Sequence, residues 1–222
     1  AWSRRTTGGQ PACSPFAGAG MARFNSYNIP NASTGRLTSP AITFAGASYR
    51  VKFKMFRDSG YPTDADNIKV YYNTTNAAGG TLLGTVNRSK DLAPIVAADD
   101  WYSYSFNIPG TVTGTGYINI LGTSAYGNNI FIDEIVVEQV PSNDVEMNSV
   151  AINSIISSGS TQISGVIKNS GLTTINSVDV KWQVGTGAIY TQSLTGLNIL
   201  AGQTSNFTHN DQWAATPGDR KS

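Results

Sequence analysis

Residues 130–137 are the densest apolar run in this chain: Ile130, Phe131 and Ile132, then Asp133 and Glu134, then Ile135, Val136 and Val137. Branched and aromatic residues at this density predict a strand buried on both faces. A turn at Gly127, Asn128 and Asn129 leads into it. The two adjacent carboxylates constrain it most. Successive side chains of a strand point to opposite faces, and an isolated buried charge is costly. At least one of Asp133 and Glu134 therefore needs an inward partner, unless a bulge turns it outward.

The rest of the sequence reads the same way. No amphipathic helical window of convincing length occurs, and strand signals recur between Gly, Pro and Asn clusters. The fold class is all-β: a jelly-roll β-sandwich followed by a second, incomplete immunoglobulin-like β-sandwich. In residues 49–55, Tyr49, Val51, Phe53 and Met55 face the core, with Arg50, Lys52 and Lys54 outward. In residues 101–108, Tyr102, Tyr104, Phe106 and Ile108 share one face. Gly8, Gly9 and Pro11 break any early strand. Residues 37–42 read as an edge strand interrupted at Pro40, because proline cannot donate to a ladder.

The domains are expected at 1–140 and 145–222, with a linker at 141–144. In the second, Val178, Val180, Trp182 and Val184 place a tryptophan on an inward face, as immunoglobulin-like sandwiches do. The span from residue 143 to 222 is shorter than the roughly 100 residues of a complete sandwich of this type. It ends on a turn at 216–219 with no strand after it, only Arg220, Lys221 and Ser222. Missing last strands would leave an edge open to a strand from another molecule, although excision from a longer chain accounts for them too.

Composition removes several function classes. Of 222 residues, 13% are charged and the net charge is +1. No basic block exists to neutralise phosphates, so nucleic acid is not expected as a partner. No apolar stretch approaches the roughly 20 residues of a membrane-spanning helix. Cys13 is the only cysteine, which leaves no disulfide framework and no cysteine zinc site; it reads as a small apolar filler. His209 is the only histidine and reads as an exposed strand residue. Without a Gly-x-Ser-x-Gly elbow, a serine hydrolase is not expected. Asp133 and Glu134 diverge from one strand and cannot flank a sugar bond; pairings such as Asp66 with Asp99 or Asp100 have no motif behind them. The chain opens on Ala1 and Trp2 without an initiator methionine, as a mature or excised piece would, and its Thr/Asn/Gly-rich composition suggests an extracellular setting.

The order and spacing of Leu37-Thr38-Ser39-Pro40, Phe56-Arg57-Asp58 with Asp66, Val70-Tyr71-Tyr72-Asn73-Thr74, Arg88, Trp101-Tyr102, Tyr126-Gly127-Asn128 and Ile132-Asp133-Glu134-Ile135 resemble the choice-of-anchor J domains of Bacteroidota. These are relatives of the cleaved-adhesin and MAM domains, which are accessory or adhesive modules rather than catalysts. The resemblance implies structural calcium, held by Asp133 and by the acidic loop at Asp58, Asp64 and Asp66. At its start this chain departs from the pattern, where the first strand looks absent or shortened. Residues 143–219 are similar to CARDB-type adhesion repeats, through Asn143-Asp144-Val145, Ile163 to Gly171, Val180-Lys181-Trp182 and Leu200 to Thr204.

The acidic loop can also be read as a solvated turn whose carboxylates pair with Arg57, and Asp133 as a partner of Arg57 or Arg88. A carbohydrate surface would need exposed aromatics, for which Tyr61, Tyr126 and Trp101 are the candidates. The expectation is a secreted or cell-surface, non-catalytic module that binds a glycan or protein. Two rivals stand beside it: a filament subunit assembled from copies of itself by strand exchange, and the accessory part of a secreted protease or glycosidase.

Overall fold

The computed structural model describes residues 1–152 and 158–215. The turn expected at 216–219 and the three residues after it lie outside the described residues. The chain divides into two compact units, Ala1–Gln139 and Val140–Ser222, and nearly all regular structure in both is strand.

The first unit contains β1 (Trp2–Arg5), β2 (Met21–Phe24), β3 (Thr34–Thr38), β4 (Ile42–Ala47), β5 (Tyr49–Arg57), β6 (Asn67–Asn73), β7 (Thr81–Asn87), β8 (Asp100–Asn107), β9 (Val112–Thr123) and β10 (Ile130–Gln139). One sheet runs β1-β2-β10-β5-β8 and the other β3-β9-β6-β7, with β4 also on β9. Inward side chains of both sheets form one core, with Phe24, Phe53, Met55 and Ile132 from the first and Phe44, Ile68, Val70 and Ile120 from the second. It is an all-β sandwich.

The alternation at 49–55 produces that core side of β5, with Val51, Phe53 and Met55 at 2% exposure or less. The expected outward face needs one correction. Arg50 is buried, because Glu138 lies opposite it in the ladder and takes its Nε at 2.6 Å and Nη2 at 2.5 Å. A second correction concerns the start: β1 forms ahead of Gly8 and Gly9, paired along β2. Around Pro40 the chain makes two short strands, β3 and β4, which lie one after the other along β9.

The central run is buried only in its first three residues, Ile130, Phe131 and Ile132. The ladder to β5 then shifts register between Asp133 and Val136, with Glu134 at φ +47°. This is a one-residue bulge. It turns Ile135 and Val136 toward solvent, 41% and 44% exposed, so the run is not buried on both faces throughout.

The second unit contains β11 (Val145–Val150), β12 (Gly159–Asn169), β13 (Ile175–Trp182), β14 (Tyr190–Ile199) and β15 (Thr204–Ala215). They form a β11-β12-β15 sheet and a β13-β14 pair. Ile167, Val180, Ile199 and Phe207 make one cluster. Trp182 packs at the second, against Ile163, Trp213 and Ala215, and stacks on Tyr190 at 4.2 Å. His209 is not an exposed strand residue: it is 1% exposed. The strand continues six residues past it, and Phe207, His209, Trp213 and Ala215 share its buried face. The His209 ring meets Trp182 edge-on at 6.0 Å, and its Nδ1 accepts the N–H of Asp211 at 3.0 Å.

Candidate functional site

Two arginines and two aspartates are buried at one end of the first sandwich. Arg57 and Arg88 are 0% exposed, Asp58 1% and Asp66 0%. Arg57 closes β5, Asp58 follows it, Asp66 precedes β6 and Arg88 follows β7, so strand ends from both sheets deliver all four. Burying an ion costs several kcal/mol unless it is paired or fully hydrogen-bonded; Arg88, Asp58 and Asp66 are paired, and Arg57 is hydrogen-bonded throughout.

Arg57 takes no carboxylate. Its Nε donates to the Arg88 carbonyl at 3.0 Å, Nη1 to the Pro94 carbonyl at 3.0 Å and the Tyr104 hydroxyl at 2.6 Å, and Nη2 to the carbonyls of Ser89 at 2.5 Å and Leu92 at 2.8 Å. All five guanidinium N–H groups are used, and they fix the 88–94 loop. The expected pairing of Arg57 with the acidic loop or with Asp133 is therefore corrected.

Arg88 takes the acidic loop instead. Its Nη1 donates to both carboxylate oxygens of Asp58, at 2.9 and 3.0 Å, and its Nε stands 3.4 Å from Asp66 Oδ2. The same guanidinium reaches the carbonyls of Gly60 at 2.6 Å and Tyr61 at 2.9 Å. Asp66 Oδ1 accepts the Ser26 hydroxyl in a short bond, and the N–H groups of Ala125 at 2.6 Å and Gly127 at 3.3 Å. Asp58 Oδ1 also accepts Gly60 N–H at 2.9 Å and Asn128 Nδ2 at 2.7 Å.

These bonds flank three tyrosines. Arg88 holds the carbonyl of Tyr61, and Asp66 holds the N–H groups on either side of Tyr126. The neighbouring Asn129 accepts the N–H of Tyr27 through its Oδ1 at 3.2 Å. Tyr61 and Tyr126 are 45% and 61% exposed. Both sit in the left-handed region, at φ +49° and +69°, which costs a non-glycine residue of order 1–3 kcal/mol and persists only where the surroundings over-determine it. The rings of Tyr27 and Tyr61 are 6.2 Å apart at 65°. A hydrogen bond with Tyr27 and the nearby Tyr126 and Asp64 all hold the Tyr61 phenol above its ordinary pKa. Gly127 lies so close beneath that a Cβ there would land on Asp66 Oδ2 and 2.8 Å from Arg88 Nη2.

Of the aromatics singled out in the sequence, Tyr61 and Tyr126 come together and Trp101 does not join them. Trp101 donates its indole N–H to the Ser14 carbonyl at 3.1 Å and packs against Phe56 at 5.6 Å and Phe16 at 6.2 Å. Tyr27 was not singled out; its only local signal is a bulky aromatic between Ser26 and Asn28. Of the carboxylates, Asp58 and Asp66 meet through Arg88, and Asp64 lies half-buried beside Tyr61. Asp133 does another task. Its Oδ2 accepts the N–H of Phe16 at 2.9 Å and of Ala17 at 3.2 Å, and its Oδ1 the N–H of Glu134 at 2.8 Å. Among the described residues, no three His, Cys, Asp or Glu gather into a group that could hold a metal.

Two concave spaces of this unit lie elsewhere. One of about 480 Å³ between β3, β9 and β10 is walled by Leu37, Pro40, Ile42, Ile120, Ile135 and Val137. Another of about 500 Å³ borders Trp2, Met21 and Asp133. A stacking surface is open rather than enclosed, so the tyrosines need no such cavity.

No family model matches the chain, and no curated protein matches it. Solved structures similar to it include the K3 cleaved adhesin domain of Lys-gingipain from Porphyromonas gingivalis, at 20% identity and a TM-score of 0.43, over 61% of this chain and 90% of that one. The K1 cleaved adhesin domain of the same protein is 15% identical with a TM-score of 0.45, over 62% and 83%. A putative sugar binding protein from Bacteroides thetaiotaomicron is 12% identical with a TM-score of 0.38, over 63% and 81%.

Proposed function

We propose that this chain is a non-catalytic binding module of a secreted or cell-surface protein, and that Tyr27, Tyr61 and Tyr126 form its saccharide-binding platform. One observation carries the reading: two exposed tyrosines are held at positive φ by a fully buried ion network. Strain of this kind concentrates where a side chain must be presented in a fixed pose. Exposed, pre-ordered phenol rings offer a flat apolar face with a polar rim, which suits the apolar face of a sugar ring and its hydroxyls. The second unit enters the proposal as a CARDB-type adhesion repeat that spaces the platform from its neighbours.

The test is affinity gel electrophoresis of the full chain through soluble neutral and acidic polysaccharides. Retardation by at least one of them, lost in both Tyr61→Ala and Tyr126→Ala while the melting temperature holds, is the expected result. Unretarded migration in every polysaccharide overturns the reading.

A further inference from the structure

Asp64 is a half-buried carboxylate beside the tyrosines with no hydrogen-bond or ionic partner for its side chain among the described residues. Its position is fixed from two sides. Its N–H donates to the Tyr61 carbonyl at 3.2 Å, and its Cβ is 3.0 Å from where a Cβ on Gly127 would stand. It therefore sits on the loop that carries Tyr61, against the loop that carries Tyr126. Beneath it, Arg57 and Arg88 cancel Asp58 and Asp66, all four buried. Asp64 is a charge that this network leaves uncompensated, close enough to the Tyr61 phenol to act on it.

A carboxylate is acceptor-only, and its two oxygens are spaced to take two donors at once. Hydrogen bonds to it are shorter and stronger than neutral ones. Neighbouring hydroxyls on a pyranose present such a pair of donors at the edge of a ring stacked on tyrosine. A second carboxylate or a sulfate in the same place would meet a like charge, while Arg88 beneath is fully buried and already engaged by Asp58 and Asp66. We infer that Asp64 is the specificity-determining acceptor of the platform: it binds paired hydroxyls of a neutral pyranose and excludes acidic sugars. This inference rests on the saccharide reading of the platform.

Titration calorimetry of the full chain against cellotetraose, mannotetraose, xylotetraose, tetragalacturonate and tetralysine tests it. At least one neutral tetrasaccharide binds, and tetragalacturonate binds at least tenfold more weakly. Asp64→Asn weakens the neutral ligand about tenfold and narrows the gap to tetragalacturonate, with no change in melting temperature because the carboxylate holds nothing in the free protein. Equal binding of tetragalacturonate, or an unchanged Asp64→Asn, overturns the role of Asp64 and leaves the platform standing. No saccharide binding at all overturns the platform as well. Tetralysine as the sole ligand overturns both and makes the three rings and Asp64 a cation cage.

Discussion

Arg88 donates from Nη2 to the carbonyl of Tyr61 at 2.9 Å, so a wholly buried cation sets the backbone of an exposed aromatic. The same side chain pairs with Asp58 and faces Asp66, and Asp66 grips the peptide groups around Tyr126. Core electrostatics and surface presentation are thus one arrangement.

Removing the cation should be costly. Arg88→Met leaves two buried carboxylates without their partner, and breaking a buried pair from one side typically costs about 3–5 kcal/mol. Urea unfolding followed by circular dichroism should show a loss of that size. A loss below about 1 kcal/mol would mean that the network is solvated rather than buried.

Three of the four carboxylates expected to hold calcium are already engaged, Asp58 and Asp66 by Arg88 and Asp133 by peptide N–H groups, and Asp64 alone offers too few ligands for an ion that takes six to eight oxygens. A divalent cation would have to displace a guanidinium held by two aspartates and two carbonyls. EDTA should therefore leave the melting temperature where it is, and millimolar calcium should not raise it. A clear rise with calcium would support the metal reading instead.

Tyr126→Gly separates stability from function. Glycine adopts positive φ without the Cβ penalty, and a side chain 61% exposed contributes little packing. The variant should be as stable as the parent or up to about 1 kcal/mol more so, yet lose retardation on polysaccharide gels. A marked fall in melting temperature would show that the ring itself supports the fold.

Cys13 should be inert. Burial, reinforced by Asp58, pushes its thiol up to about 12, against an ordinary value near 8.5. At pH 8 the thiolate should be about two-thousandfold scarcer than for a free thiol, since each pKa unit is a factor of ten. Ellman's reagent should label the native protein very slowly and the urea-unfolded protein within seconds to minutes. Equal rates would contradict the half-buried placement of the thiol.

Glu138 should give a small acid-side loss of stability. Burial pushes its carboxyl up, but hydrogen bonds from Arg50 and Lys52 outweigh this and hold its pKa below the ordinary carboxylate value. A lowered native pKa contributes stability that is present above the unfolded value, near 4.3, and is lost as pH falls through the native one. Glu138→Gln should thus be less stable than the parent at pH 7, with the gap closing below about pH 4. A constant gap down to pH 3 would assign the effect to packing.

Much of the first sandwich was legible because strand burial has a two-residue period. The alternation at 49–55 and 102–108 is the inward face of β5 and of β8, and Ile130, Phe131 and Ile132 are the buried start of β10. The exposure of Tyr61 and Tyr126 could be read from the polar and glycine-rich turns around them. The burial of His209 was not legible, because a lone histidine on a polar stretch of strand carries no mark of its face. Only the continuation through Trp213 and Ala215 places it on a buried face.

The partners of the buried charges were not legible. Arg88 meets Asp58 across 30 residues, Asp66 meets Gly127 across 61, and Asp133 meets Phe16 across 117. No local pattern ranks one distant carboxylate above another. The bulge at Glu134, which decides where Asp133 points, depends on the ladder with β5 rather than on the run itself.

By itself, then, the sequence determined an all-β chain, the faces of its regular strands and its poverty of charge. Those are local properties, set by side-chain period and composition. Tertiary structure alone decided that Arg88 stands between Asp58 and Asp66, that Arg57 is satisfied without a carboxylate, and that Tyr27 joins Tyr61 and Tyr126. The reason is physical: a buried charge takes whichever partner the topology brings within about 3 Å, and that distance is fixed only when the sheets close.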